Sequence, residues 1–107
     1  SGHCASLDPS AIPRYDGTDE LLRQGVRSSL HEGNAAFLER VEASAACDDI
    51  DLALLVDPQT SGGLLAGVPT DSVPACLNAL HTAGYEAACV IGTVESAEAR
   101  DPGTIRL

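Results

Sequence analysis

Short apolar runs, separated by polar and glycine-rich segments, divide the chain into alternating helices and strands. The clearest helical pattern is a stripe at i, i+3, i+4, i+7 spacing, formed by Val73, Cys76, Leu77 and Leu80. Thr70 or Ser72 is expected to cap this helix, with Pro74 in its first turn, where proline is tolerated. Gly84 is expected to end it.

Apolar segments on both sides of this helix predict strands, at Leu64–Val68 and Ala87–Val94. The first stops at Pro69, and the second is rich in β-branched residues and is broken at Gly92. This strand–helix–strand order has the length of a crossover unit, which favours helices packed on a mixed sheet. Thr104–Leu107 is expected to pair back as a final short strand.

Two shorter helices are predicted in the first half of the chain. One begins with Thr18 as its N-cap, carries two leucines and ends at Gly25. The other is Ala35–Val41, capped by Asn34. The segments predicted as turn, loop or connector are Ser10–Pro13, Val26–Gly33 and Glu42–Asp49. Ile50–Val56 is too short for its period to separate strand from helix, and its apolar content favours a strand.

Asp57–Gly63 (DPQTSGG) is the segment richest in candidate chemistry and lies between two apolar runs. Asp-Pro opens a turn, and two glycines allow a positive φ or the close approach of another group. A loop of this kind can offer backbone N–H groups to an anion such as phosphate. From composition alone, a plain turn explains the same residues. The candidate ligand-binding residues are Gln59, Thr60, Ser61, Gly62 and Gly63.

Composition narrows the classes of protein. A chain of 107 residues has the size of one domain, and with one Phe, two Tyr, no Trp and no Met its core must be aliphatic. A net charge of −10 argues against nucleic acid and acidic membrane surfaces as partners. Four dispersed cysteines without CxxC, and no signal peptide or membrane span, predict a cytoplasmic protein with reduced, mostly buried thiols. The chain has no P-loop and no lysine.

The DPQTSGGLL wording at Asp57–Leu65 resembles the C-terminal domain of selenophosphate synthetase (selenide, water dikinase). Gly84-Tyr85 and Val90-Ile91-Gly92 follow in the family's order, and residues 25–31 (GVRSSLH) are similar to an earlier segment. The opening, through Asp8 and Pro13, is similar to the family's strand and turn there. The likeness covers nearly the whole chain.

The resemblance implies an α/β fold, a three-layer α/β/α domain with a mixed sheet and partial likeness to a ferredoxin-type arrangement. It also implies a helix at Ile50–Val56. Residues 1–107, which start at Ser-Gly-His, would be a single domain and a fragment of the C-terminal domain of a larger enzyme. That enzyme uses ATP, Mg²⁺ and water to convert selenide to selenophosphate, with AMP and phosphate as the other products.

The family's catalytic Cys or selenocysteine, its lysine and its metal-binding aspartates have no counterpart in this sequence. We therefore expect no catalytic or metal-binding residue here, no cofactor for the chain alone, and no activity. The expected partners are the enzyme's N-terminal domain and a second copy in a homodimer. Two alternatives remain: a fold relative such as aminoimidazole ribonucleotide synthetase or thiamine monophosphate kinase, and a non-catalytic binding module. The Gln-Thr-Ser wording of the loop argues against the fold relative.

Overall fold

The structure is a computed structural model, and it describes residues 2–45, 47–96 and 103–107. The helices in these ranges are α1 (Thr18–Arg23), α2 (His31–Ala35), α3 (Asp49–Leu55) and α4 (Val73–Thr82). The strands are β1 (His3–Leu7), β2 (Val41–Glu42), β3 (Gly92–Ser96) and β4 (Ile105–Arg106). Short 3-10 turns lie at Pro9–Ala11, Ala36–Arg40 and Thr70–Ser72.

The four strands form one mixed sheet in the order β2-β4-β1-β3. Strand β1 is antiparallel to β3, with Leu7 opposite Gly92, and parallel to β4, with Ala5 opposite Ile105. Strand β4 is also parallel to β2, and the Arg106 Nε donates to Glu42 Oε2 at 3.0 Å across that pair. The predicted α/β class with a mixed sheet is confirmed.

The strand predictions fail in the middle of the chain. Leu64–Val68 forms no strand, and Ala87–Val94 is a strand only from Gly92 onward. A strand needs a neighbour for its backbone N–H and C=O groups, and Leu64–Val68 has no ladder partner among the described residues. The expected crossover unit is therefore not formed. The expected strand at the C-terminus is present as β4.

The helices predicted after Thr18 and before Gly84 are present as α1 and α4, whereas the prediction of a helix over Ala35–Val41 is wrong: α2 ends at Ala35, Ala36–Arg40 is a 3-10 turn and Val41 begins β2. Helix α1 begins one residue after its N-cap, which is Gly17 (φ +84°) and not Thr18. Helix α2 begins at His31, within the predicted loop, so Asn34 lies inside the helix and not at its N-cap position, which is Leu30. Gly25 and Gly84, at φ +80° and +94°, end α1 and α4 as predicted.

Helix α3 confirms the helix that the family resemblance implied and corrects the strand that the apolar pattern favoured. Its N-terminus carries a capping box, in which Asp48 Oδ1 accepts from the backbone N–H groups of Ile50 and Asp51, both at 2.9 Å. Asp51 Oδ2 accepts in return from the Asp48 N–H at 3.2 Å. Two N–H groups of the first turn are thereby satisfied, which stabilises a short helix.

The buried apolar core of the described chain is small and aliphatic, consisting of Cys4, Leu22, Ala53 and Val56. Leu22 and Ala53 belong to α1 and α3, which contact each other, and Cys4 belongs to β1. The apolar stripe of α4 does not join it, because none of that helix's residues is buried. No described helix has the length and apolar character needed to cross a membrane.

Candidate functional site

The DPQTSGG loop, Asp57–Gly63, begins directly after α3 and is held at its start from two sides. The Asp57 N–H donates to the Leu54 C=O at 3.2 Å, and Asn34 Nδ2 donates to the Val56 C=O at 3.1 Å. Val56 itself is buried. Helices α2 and α3 together therefore fix the point from which the loop leaves the core, a contact that the expected capping role of Asn34 did not anticipate.

Beyond Pro58 the loop is open to solvent. Gln59, Thr60, Ser61, Gly62 and Gly63 are all exposed. Neither glycine has a positive φ, so of the two roles that the sequence allowed, a positive φ and the close approach of another group, the first does not apply. The two glycines differ in the space around them. A Cβ on Gly62 would lie 2.8 Å from Gln59 Oε1, whereas a Cβ on Gly63 would meet nothing within 4 Å.

The loop offers neutral hydrogen-bonding groups and little charge. The hydroxyls of Thr60 and Ser61 make no hydrogen bond to the residues that the structure describes. Asp57 is the loop's only ionisable group, and it is half-buried. No group of three or more His, Cys, Asp or Glu residues that could hold a metal ion occurs among the described residues.

A second polar cluster surrounds Arg14 at the other end of α3. Its guanidinium donates to Asp19 Oδ1 at 2.9 Å, to Asp51 Oδ1 and to the Pro9 C=O at 3.1 Å. Arg14 thus ties the segment after β1 to α1 and α3. Sequence reasoning missed it, since Arg14 and Asp51 are 37 residues apart and no motif links them.

The Arg14 cluster borders an open cleft of about 690 Å³. Its lining residues are Asp8, Pro9, Ser10, Ile12, Arg14, Asp19, Ser44, Cys47, Asp48 and Asp51. The hydrogen bond from Arg14 lowers the pKa of Asp51, and the same bond raises the pKa of Arg14. Because both carboxylate partners already neutralise its charge, Arg14 is a structural ion-pair partner and no free cation for an anionic ligand.

Cys47 borders the same cleft but is not an activated thiol. Burial is the main cause that raises its pKa, and the carboxylates of Asp51, Asp48 and Asp49 raise it further. A thiol held protonated is a poor nucleophile. All four cysteines are free, yet only Cys4 is buried and Cys89 is exposed, so the expectation of mostly buried thiols is wrong. Cys89 lies within residues 87–91, which form no strand.

These residues define a class: an α/β unit on a mixed sheet, with an exposed polar loop anchored by two helices. No protein-family model matches the chain. Named relatives do match. The chain is 37% identical over 93 residues to the selenide, water dikinase of Pseudomonas straminea, across 86% of the chain and 26% of that protein.

Two further relatives agree. Identity is 33% over 101 residues to the selenide, water dikinase of Burkholderia pseudomallei, across 94% of the chain and 28% of the relative. Identity is 34% over 85 residues to the selenide, water dikinase of Bdellovibrio bacteriovorus, across 79% of the chain and 24% of the relative. The predicted resemblance to selenide, water dikinases is confirmed over most of the chain. The chain spans about a quarter of the length of the curated relatives it matches.

Proposed function

We propose that this chain is the distal part of the C-terminal domain of a selenide, water dikinase, which converts selenide, ATP and water to selenophosphate, AMP and phosphate. The observation that carries the proposal is identity of 30–37% to selenide, water dikinases over most of the chain. The same observation favours this enzyme over a fold relative or a non-catalytic binding module. We place the enzyme in the cytoplasm, where free thiols persist.

In this proposal the DPQTSGG loop faces the nucleotide in the complete enzyme. Its exposed hydroxyls and backbone N–H groups suit a phosphate oxygen, and the two helices that hold its start would keep these donors in place. ATP would supply the phosphoryl group. The loop's single carboxylate, Asp57, does not make a Mg²⁺ site, so we assign Mg²⁺ binding to the remainder of the enzyme.

We propose two partners for the chain, the rest of the enzyme and a second copy. Three quarters of their length lies outside the matched region, and the N-terminal domain of the enzyme is the proposed neighbour of the chain. We further propose that the isolated chain pairs with a second copy of itself, because so many large apolar side chains are exposed.

The loop assignment is tested by Gly63→Val in the full-length enzyme. Because a Cβ at Gly63 meets no atom of this chain, the variant should fold normally, whereas two added methyls would block a phosphate near the loop backbone. We expect at least about a tenfold loss of selenide-dependent AMP formation. Gly67→Val is the matched control, since Gly67 also has open space within 4 Å. Equal activity of both variants and the wild type would overturn the assignment.

The chain alone is expected to be inactive. It has no lysine, and its described residues hold no cluster of metal ligands, whereas phosphoryl transfer depends on positioned cations. Selenide-dependent formation of AMP is measured with the purified 107-residue chain beside the intact enzyme. Turnover by the chain alone at a rate near that of the enzyme would contradict this part of the proposal.

A further inference from the structure

The register of the sheet sorts apolar and polar side chains into separate rows. One row crosses all four strands and contains only apolar residues, namely Val41, Ile105, Ala5 and Val94. The adjoining row contains only polar residues, namely Glu42, Arg106, Ser6 and Thr93. Because successive residues of a strand point to opposite faces, the first row lies on one face of the sheet and the second row on the other. These are here called the apolar face and the polar face.

The apolar face has the composition of a core surface but not its burial. A sheet with one face in the core and one in water alternates apolar and polar residues in this way. Yet none of the four residues in the apolar row is buried, and Val94 is 61% exposed. The buried residue of β1, Cys4, precedes Ala5 and therefore belongs to the polar face. Helix α4 does not supply the missing cover, because no residue of that helix is buried.

The surface that the chain leaves open is large enough for a further layer to cover. The chain exposes 7755 Å², whereas a compact protein of 11.0 kDa exposes about 5,600 Å². Its radius of gyration is 15.0 Å, against about 13 Å for a compact domain of this length. An interface of standard size removes about 800 Å² from each side. The excess surface is larger than one such interface.

Charge and chain length decide what occupies the apolar face. None of the residues in its row is ionisable, so the row offers no counter-charge to a charged ligand or macromolecule. A second copy would bring a net charge of −10 against the same charge, which opposes the contact. The matched region is only 26% of the relative from Pseudomonas straminea. Under the function proposed above, the other three quarters are covalently attached, and an attached surface acts at an effective concentration on the order of millimolar.

We propose that the apolar face of the sheet is the docking surface for the part of the dikinase that lies outside this chain. That part lays an uncharged, apolar surface on the row that ends at Val94 and completes the core on this side of the sheet. The polar face takes no part in this contact. The inference rests on the function proposed above, and it adds the surface through which the two parts of the enzyme meet.

The test compares two neighbouring residues of β3 in the full-length protein. Val94→Cys places a thiol on the apolar face and Thr93→Cys places one on the polar face, and both positions are exposed in this chain. Each native variant is labelled with a maleimide, and the rate at the introduced thiol is read from its own peptide by mass spectrometry. We expect labelling of Val94→Cys to be at least about tenfold slower, because its thiol reacts only when the two parts separate. Labelling in urea, where both variants should react at similar rates, is the control.

A photoreactive cross-linker identifies the occupant. Benzophenone maleimide attached to the thiol of Val94→Cys should cross-link to residues of the same polypeptide outside this chain of 107 residues. Cross-links confined to α4 would make that helix the occupant. Cross-links between polypeptides in a mixture of isotopically light and heavy protein would make it a second copy. Either result, or equal labelling of the two native variants, would overturn the proposal.

The outcome is read separately from catalysis. Selenide-dependent AMP formation by the wild-type protein tests the dikinase assignment, whereas labelling and cross-linking use no substrate. An inactive protein in which Val94→Cys is labelled slowly would overturn the assignment and leave the docking surface in place. An active protein with equal labelling of both variants would do the reverse.

Discussion

Gly92 lies opposite Leu7 of β1, at a strand position where β1 leaves no space for a side chain. A Cβ on Gly92 would overlap with the Ser6 C=O oxygen and would lie 2.9 Å from Leu7 Cα, and these are backbone atoms that cannot rotate away. The glycine that the sequence predicted as a break in a strand is thus its first residue. Its absent side chain is what allows β1 and β3 to pair here.

We therefore predict that Gly92→Ala destabilises the protein by roughly 2 kcal/mol or more, because the two strands must separate to accept the methyl group. Gly67→Ala is the matched control: it has no positive φ and no atom within 4 Å, so it should be neutral or slightly stabilising. Urea unfolding measures both variants. Equal midpoints for the two would show that the strands are not held this closely.

At the scale of elements, helix α3 connects the buried core of the described chain to its polar contacts and to the DPQTSGG loop. Its N-terminus carries the capping box and the Arg14 contact, its middle contributes Ala53 to the core, and its C-terminus leads through Val56 into the DPQTSGG loop. Asp51 serves both the cap and the ion pair through its two carboxylate oxygens. A single side chain thus links the start of this helix to the segment after β1.

Asp51→Asn tests this link through the pH dependence of stability. Arg14 lowers the pKa of Asp51 from its ordinary value of 3.8, so the ion pair contributes stability above pH 3.8 that is lost as the pH falls through the lowered pKa. We expect the variant to be less stable than the wild type by about 1 kcal/mol at pH 7, and the difference to shrink in acid.

The measurement is urea unfolding of both proteins at neutral pH and at pH values below 3.8. Asp71→Asn supplies the control, since it removes an exposed carboxylate in the turn before α4 and should change stability by only a few tenths of a kcal/mol. A difference for Asp51→Asn that stays constant across this range would show that its charge is not what Arg14 stabilises.

At the scale of the whole molecule, strong acidity opposes the association that exposed apolar surface favours. With a net charge of −10 on each copy, repulsion acts over about 30 Å at 0.01 M salt but only about 3 Å at 1 M. We predict that raising the salt concentration tightens self-association of the chain, because salt screens the repulsion between two acidic copies. Sedimentation at low and high salt measures this. Weaker association at high salt would indicate a contact built on ion pairs.

The sequence by itself determined the features that depend on neighbouring residues. Periodicity and end signals located α1 and α4. Gly25 and Gly84 end them because glycine adopts, without strain, the left-handed conformation in which the last carbonyl groups find partners. The DPQTSGGLL wording identified the relatives correctly. For α3, a helical period could not be read over seven residues, and the family resemblance supplied what local pattern could not.

Only the tertiary structure decided the features that need a partner distant in the chain. Leu64–Val68 has the composition of a strand but pairs with no strand in the part of the chain that the structure describes. Ile105–Arg106 is a strand because β1 and β2 lie on either side of it. Arg14 forms its ion pair with Asp51, and Asn34 donates its hydrogen bond to the Val56 C=O, through contacts between residues far apart in the chain that no local pattern predicts. A helix closes its hydrogen bonds within its own segment, but a strand or an ion pair exists only when the fold supplies the other half.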